Sequence, residues 1–386
     1  MDISSVNDLI GKLNSAISGE NHYDVFQYSL MIHKIFGENI PENIKIGIAG
    51  ALHNAAYHFM HNAFLPDLAV TSADMAWALT PNSNTYNQLV LAHLFAGDYD
   101  RAWSIRHRVA DTPKPWTPGS PPLRLGIFNS NGMGDLFQFL RFIEKAKPYA
   151  AEIHLSVPRR LSSLIRQCTI LKGIQVVEDF SGIHIDAIHD LLYLPILLGL
   201  KTADIEPLGE YIPMDAQRSR EWRSVVRRTD APHVGIVWSA LDKNDKRSVG
   251  LAAMSGLFDV PGAVFIGLQG NTAKSEMFDV PMPGNFADFG VYDIENTAAI
   301  ISTLDLVITP DCGVAHLSCA MGKETFILLR QHCDWRWIEA GNQSRWYSAA
   351  TLFRQEREGD WAPVITAVRT ALLSRIKHGF SALAEG

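Results

Sequence analysis

TPDCGVAHLSCAMGKETFILL, residues 309–329, is the stretch on which the fold turns. LDLVI (304–308) runs into it and ETFILL (324–329) closes it, two short apolar runs of strand character. Between them the small residues from Gly313 to Met321 predict a short helix, opened by Pro310-Asp311-Cys312 and stopped by Gly322. Strand, helix and strand in so little chain imply a parallel sheet covered on both faces. Asp311, Cys312 and His316 then crowd the point where a strand hands over to a helix, the edge at which such sheets bind ligands.

The same alternation extends in both directions. LRLGIFNS (123–130), EIHLSV (152–157), IQVVED (174–179) and LLYL (191–194) read as one set of strands. HVGIVWSA (233–240), AVFIGLQ (263–269), LDLVIT (304–309), TFILL (325–329) and TLFRQ (351–355) read as a second. Two Rossmann-like, doubly wound α/β domains are expected, over 123–230 and 231–386, the second ending in a C-terminal helix. Residues 1–115 follow a helical period instead, as in Leu89, Leu91, Ala92, Leu94 and Phe95. Residues 81–115 have the form of a tetratricopeptide unit, with a turn at Gly97-Asp98-Tyr99-Asp100 and a second helix opening at Ala102. Ala69, Ala76 and Pro81 stand upstream at places comparable to Ala102, Val109 and Pro115. WTPGSPP (116–122) reads as the linker between the helical domain and the sheets.

A chain of 386 residues is too long for one core, which fits two or three domains. Its net charge of −7 argues against nucleic acid or an anionic membrane as the main partner. The N-terminus shows no signal-peptide pattern. AIHDLLYLPILLGL (187–200) is too short to span a bilayer and carries His189 and Asp190, so it reads as buried strand, turn and helix start. Four cysteines (Cys168, Cys312, Cys319 and Cys333) make no disulfide framework in a chain of this size, which implies a cytoplasmic setting.

The helix at 313–321 would point unpaired N–H groups and a positive dipole end into the crevice, a site suited to phosphate or diphosphate. Gly313, Ala315 and Ser318 would let the ligand approach the backbone. NSNGMGDLFQFLRFIEKA (129–146) repeats the grammar: Gly132 and Gly134 allow a tight turn, and Asp135 opens an amphipathic helix. It lacks the third glycine of the dinucleotide fingerprint. Either acid alone reads as a helix cap; two acid-headed helices across one cleft read as a site. WSALDKNDKRSVGL (238–251) brings Lys243, Lys246 and Arg247 to the end of another strand, where cations could neutralise a leaving diphosphate. Two further arrangements are weaker. Cys312 could be a thiolate activated at a helix N-terminus with His316 as base, and Cys312, His316 and Cys319 share a face with metal-like spacing. Trp335 and Trp337 flank Arg336, which could stack on a base or sugar.

Taken in order, these stretches resemble glycosyltransferase family 9, the heptosyltransferase-like enzymes, and within it bacterial members with an N-terminal tetratricopeptide region. The resemblance spans about residues 123–370, through GDLFQFLRF (134–142), VGIVWSALDKNDKRS (234–248), VFIGLQG (264–270), 297–329, DWRWI (334–338) and 344–365. It implies a GT-B fold and inverting, metal-independent transfer of a sugar from a nucleotide-sugar donor, with no other cofactor. It implies Asp135 as general base, and Lys243, Lys246, Gln269, Asp311, Gly313 and His316 on the donor side, where Arg247, Cys312 and Arg336 are expected from the residues themselves. Cys312 stands where the family usually has threonine, and Asn296 where aspartate is frequent. The acceptor would be a protein or a glycan such as lipopolysaccharide, engaged by residues 1–115. The alternative is a non-catalytic tetratricopeptide scaffold with a degenerate nucleotide-sugar-binding domain.

Overall fold

A computed structural model describes residues 3–105, 123–241, 244–270, 272–290 and 293–380. They divide into two compact units. One comprises the described residues up to Ile105 with the short segments Gly199–Thr202 and Asp334–Ile338, and the other holds the sheets.

The first unit is built from α1 (Ile3–Ser18), α2 (His22–Phe36), α3 (Glu42–His61), α4 (Pro66–Leu79), α5 (Ser83–Phe95) and α6 (Tyr99–Ser104). Each helix packs on the next in sequence. On α4 the fully buried Ala69, Ala73 and Ala76 share one face, and their small side chains let α3 and α5 approach closely. Asn82 caps α5 by accepting from the Asn84 and Thr85 amides, while Thr85 Oγ1 accepts from the Asn82 amide at 3.1 Å. Gly97, at φ 77°, turns the chain out of α5, and Asp98 caps α6 by accepting from the Arg101 amide at 2.9 Å. A helix, a turn and a second helix follow residue 81 as expected, but the second helix opens at Tyr99 rather than Ala102, because Asp98 supplies the cap. The continuation of that second helix beyond Ile105 and the linker 116–122 lie outside the described residues. The two short segments are tied in by Asp100, which accepts from Thr202 N and Oγ1, and by the Tyr99 hydroxyl, which donates to Trp335 O at 3.1 Å.

The second unit begins with β1 (Leu123–Phe128), α7 (Met133–Phe139), α8 (Arg141–Ala146), β2 (Ala150–Ser156), α9 (Arg159–Arg166), β3 (Gln175–Val177), β4 (Ala187–Asp190) and α10 (Leu194–Leu198). After α11 (Ala216–Val226) come β5 (His233–Ile236), α12 (Leu251–Met254), β6 (Val264–Gly267) and β7 (Phe286–Asp288). The chain closes with α13 (Ile294–Thr303), β8 (Leu306–Pro310), α14 (Gly313–Ala320), β9 (Thr325–Leu329), β10 (Ala350–Arg354) and α15 (Ala362–His378). The strands make two wholly parallel sheets, ordered β3-β2-β1-β4 and β10-β9-β8-β5-β6-β7. Parallel strands buried on both faces need continuous apolar runs, and β5, β8 and β9 are buried at every residue. The core of the larger sheet packs Val234, Ile236, Ile308 and Phe326 against Val368 and Leu372 of α15.

The two doubly wound halves are as the sequence leads one to expect, with local differences. LLYL (191–194) is no strand. β4 ends at Asp190, and Leu191–Tyr193 forms a single 3-10 turn leading into α10. β7 is an edge strand of three residues, too short to leave an apolar run in the sequence. α11 falls within 123–230 yet packs on α13 of the larger sheet. There Arg218 pairs with Glu295 at 2.8 Å, Arg227 pairs with Asp305 at 2.7 Å, and the Trp222 indole N–H donates to Asn296 Oδ1 at 3.1 Å. Asn296 is thereby engaged in holding α11. No helix among the described residues is long and apolar enough to cross a membrane.

In each sheet the winding direction reverses beside its first strand, between β1 and β4 and between β5 and β8. Ligands of such sheets bind beyond the strands at these reversals. The site follows from that rule.

Candidate functional site

At the first reversal, β1 leads through Asn129–Gly132 into α7. Asp190, buried at the end of neighbouring β4, fixes this loop: its Oδ2 accepts from the Ser130 amide at 3.1 Å and from the Ser130 hydroxyl, and its Oδ1 accepts from the Leu192 amide at 3.0 Å. Asn129 Nδ2 donates to Asn131 O and Gly132 O. Asp135 is the third residue of α7 and half-buried, and its Oδ2 accepts from the Gly132 amide at 3.0 Å. That bond closes the helix start, so Asp135 does cap.

At the second reversal, β8 leads into α14. The N-cap of α14 is Cys312, whose side chain makes no capping bond. Asp311, the residue expected to cap, is instead buried and turned to Arg247 and His316. Its Oδ2 lies 3.9 Å from Arg247 Nη1, and its Oδ1 lies 3.8 Å from His316 Nε2. Arg247 Nη1 also donates to Asp311 O at 3.3 Å. The opposite side of the Arg247 fork is taken by Asp245, at 3.0 Å from Nε and 2.7 Å from Nη2. Hydrogen bonding to Asp245 raises the Arg247 pKa above its ordinary value. Burial opposes the Asp245 charge, but the bonds from Arg247 outweigh it and hold that carboxyl below the usual aspartate range. The clip on this loop is therefore complete above the ordinary aspartate pKa and is lost only as pH falls through the depressed one.

The same loop is pinned at its root. Gln269 is buried, its Oε1 accepts from the Trp238 and Ser239 amides at 3.0 Å each, and its Nε2 donates to Ser239 O at 3.2 Å. Gln269 thus acts on backbone, shaping the loop that carries Arg247. Lys246 is exposed. Lys243 lies outside the described residues.

The two reversals meet. A Cβ added at Gly134 would stand 2.7 Å from His316 Cδ2, so glycine is required where α7 meets the His316 ring. A Cβ at Gly313 would lie 3.7 Å from Met133 Cε and 3.9 Å from the Gly134 amide nitrogen, ordinary contact distances. The starts of α7 and α14 therefore lie side by side, which brings Asp135, Asp311, Cys312, Gly313, His316 and Arg247 into one neighbourhood. Arg336 is described with its own unit. It belongs with Asp334–Ile338 in the helical unit, pairs with Asp334 at 2.7 Å and lies 4.2 Å over the Trp335 ring. Trp337 is buried in the same segment.

The weaker expectations about Cys312 change as well. Enclosure of its sulfur raises the thiol pKa, with Thr309 Oγ1 at 3.3 Å only partly offsetting it, so the lowered pKa that a nucleophile needs is absent. Burial pushes the Cys168 and Cys319 thiols up to about 12. Iodoacetamide at neutral pH should leave these two unmodified until the protein unfolds, as mass spectrometry of the cysteine peptides would read. Rapid labelling of the native protein would contradict their enclosure. No group of three or more His, Cys, Asp or Glu among the described residues is arranged to hold a metal ion.

Sequence reasoning missed a second layer. His316 Nδ1 is 2.9 Å from the Tyr347 hydroxyl. Below it lies Arg141, buried without a carboxylate partner among the described residues, its guanidinium 5.2 Å from the Tyr347 ring centre, 5.5 Å from Trp346 and 5.9 Å from Tyr211. Arg141 donates to Gln138 O at 2.9 Å and Glu206 O at 3.1 Å. Only the unusual sight of an arginine inside the apolar face FLRFI (139–143) marks it in the sequence.

No family profile matches the chain. Among curated proteins it is similar to Protein FlbA of Caulobacter vibrioides, 24% identical over 283 residues, which are 64% of this chain and 46% of that protein. The chain thus spans about half the length of that relative. Among solved structures it is similar to ADP-heptose lipopolysaccharide heptosyltransferase II of E. coli, at TM-score 0.45 and 10% identity, over 66% of this chain and 99% of that one. A glycosyltransferase of family 9 from Veillonella parvula gives TM-score 0.45 and 13% identity, over 67% and 90%. The iron-containing heptosyltransferase TibC of enterotoxigenic E. coli, solved with ADP-D-beta-D-heptose, gives 0.45 and 12%, over 68% and 79%.

Proposed function

We propose that the α/β unit is an inverting glycosyltransferase of the family 9 kind, moving a sugar from a nucleotide-sugar donor to a hydroxyl of a protein or glycan. The observation that carries this is the meeting of the two reversal edges at Gly134 and His316, which sets Asp135 of one half beside the α14 start of the other. The donor diphosphate lies at the amides of α14 that no side chain caps, facing Arg247. The acceptor lies on the α7 side. Its oxygen attacks the anomeric carbon, its proton passes to the Asp135 carboxylate, and the bond to the diphosphate breaks with its electrons leaving on the nucleoside diphosphate. Helix amides and basic side chains meet the charge of the leaving group, so the reaction needs no metal ion. Transfer that persists undiminished in excess chelator would support this, and loss of transfer restored by one metal would overturn it.

The helical unit selects the acceptor. A cytoplasmic setting fits the four free cysteines. The test of donor binding is calorimetry of the full chain with ADP-, UDP-, GDP- and CMP-linked sugars. One of them should bind, and Arg247→Met should weaken that binding by about 10- to 100-fold, the worth of a charge-assisted contact. Unchanged affinity in that variant would remove Arg247 from the donor site.

A further inference from the structure

One face of the larger sheet is left partly open near its β7 edge. On β6 the side chain of Phe265 belongs to the core under α15, so Val264 and Ile266 point to the opposite face, where they meet the end of α11. With Val226 of α11, Ala287 of β7 and Phe289 they line an apolar cavity of about 200 Å³. Val264, Ala287 and Phe289 are only half-buried, so the cavity is open to solvent. The Trp222 ring stands edge-on to Phe289, with 6.1 Å between ring centres, and holds that wall in place.

The surroundings of the cavity are basic. Arg228, which lines it, also lines an adjoining recess with Arg220, Arg223 and Arg227, against a single acid, Asp230. Arg220, Arg223 and Arg227 recur at i, i+3 and i+7, so they share one face of α11 and its cap. Arg227 is paired with Asp305, but Arg220, Arg223 and Arg228 make no ion pair among the described residues. A helix dipole favours cations in the last turn, which accounts for Arg223 but not for Arg220, a turn earlier.

We propose that this cavity and its arginines dock an acidic peptide segment of a partner protein, with one large apolar side chain of that segment seated in the cavity. An apolar cavity of about 150 Å³ already takes benzene, so this one, at about 200 Å³, suits a single phenyl or leucyl group and not the full acyl chain of a lipid. An apolar anchor ringed by charge is the pattern of an interface hot spot, and arginines on the rim call for carboxylates. His233 and Val264, the first residues of β5 and β6, also line the cavity, which therefore sits toward the strand ends opposite the donor edge. The proposal does not rest on the nucleotide-sugar reading.

The test is fluorescence anisotropy of a dye-labelled peptide, one phenylalanine between two pairs of aspartates, titrated with the full chain. Binding is expected at low ionic strength. Replacing the peptide's phenylalanine with alanine should weaken it about 10- to 100-fold, the effect of one buried aromatic side chain. Arg223→Gln combined with Arg228→Gln should weaken binding of both peptides about 3- to 10-fold and flatten the salt dependence. Ala287→Leu fills the cavity, so it should bring the phenylalanine peptide down to the level of the alanine one. The arginine variant changes only exposed side chains and so decides the matter even if Ala287→Leu fails to fold. Equal affinity for the two peptides, or undiminished binding by the arginine variant, would overturn the proposal. So would a failure to bind the peptide at all; phosphatidylglycerol vesicles binding in its place would give this face to a membrane.

Discussion

Asp135→Asn should melt near the parent temperature, bind donor as the parent does, and transfer sugar more slowly by roughly two to four orders of magnitude. The two roles of Asp135 are separable. Its bond to the Gly132 amide is a capping contact, which asparagine can also make through its amide oxygen. Accepting a proton from a hydroxyl is beyond an amide. Removal of the cap alone would cost only ~1 kcal/mol of stability. Single-turnover transfer by Asp135→Asn, measured beside a melting curve, distinguishes them. Near-parental transfer would leave Asp135 a cap and move the base elsewhere. The placement of the residue on the third position of α7, tied down by Gly132, itself tied through Asn129 and Asp190, suits a base that must be held in one place.

The second large effect is steric. Gly134→Ala places a methyl group 2.7 Å from His316 Cδ2, and the ring is enclosed by Tyr347 and Asp311, so it has little room to move. Overpacking of this kind costs about 1–3 kcal/mol. Gly313→Ala is the matched control, because its methyl would meet Met133 at 3.7 Å, an ordinary contact, and α14 gains a better helix former. Urea denaturation of the pair should show Gly134→Ala destabilised and Gly313→Ala close to the parent. Equal stability of the two would mean that α7 and α14 do not meet as described.

Much of this was open to reading in the sequence, for a physical reason. Strands buried on both faces leave unbroken apolar runs, so LDLVIT and TFILL announce β8 and β9 to within a residue or two. Helix starts leave polar and glycine signals, so α7 and α14 could be placed, and with them Asp135 and His316. What escaped depends on through-space contact. Nothing at Asp311 says that its carboxylate turns to Arg247 and His316 while Cys312 takes the cap position. Tyr211, Arg141 and Tyr347 are far apart in sequence and meet only in the fold. Gln269 ends a strand at the site edge, but nothing in the sequence shows that its side chain accepts from the Trp238 and Ser239 amides. Nothing in the sequence around Arg336 says that its segment is tied to the helical unit, through the Tyr99 hydroxyl on Trp335 O and the Tyr99 ring against that of Trp335.

That fastening bears on how the helical unit can be studied. Tyr99 and Asp100 hold Trp335 and Thr202, residues far along the chain, so truncation at residue 115 would strip two later segments of their partners. Point substitutions on the surfaces of α1 to α3 are the cleaner way to ask whether this unit selects the acceptor.

The most direct measurement is a crystal structure of the full chain with the nucleoside diphosphate of whichever donor binds. The diphosphate should lie at the first amides of α14, beside Gly313, within reach of Arg247 and across from Asp135. A nucleotide bound at any other place, or no binding by any nucleoside diphosphate or its sugar conjugate, would contradict the assignment of these two edges as a glycosyl-transfer site.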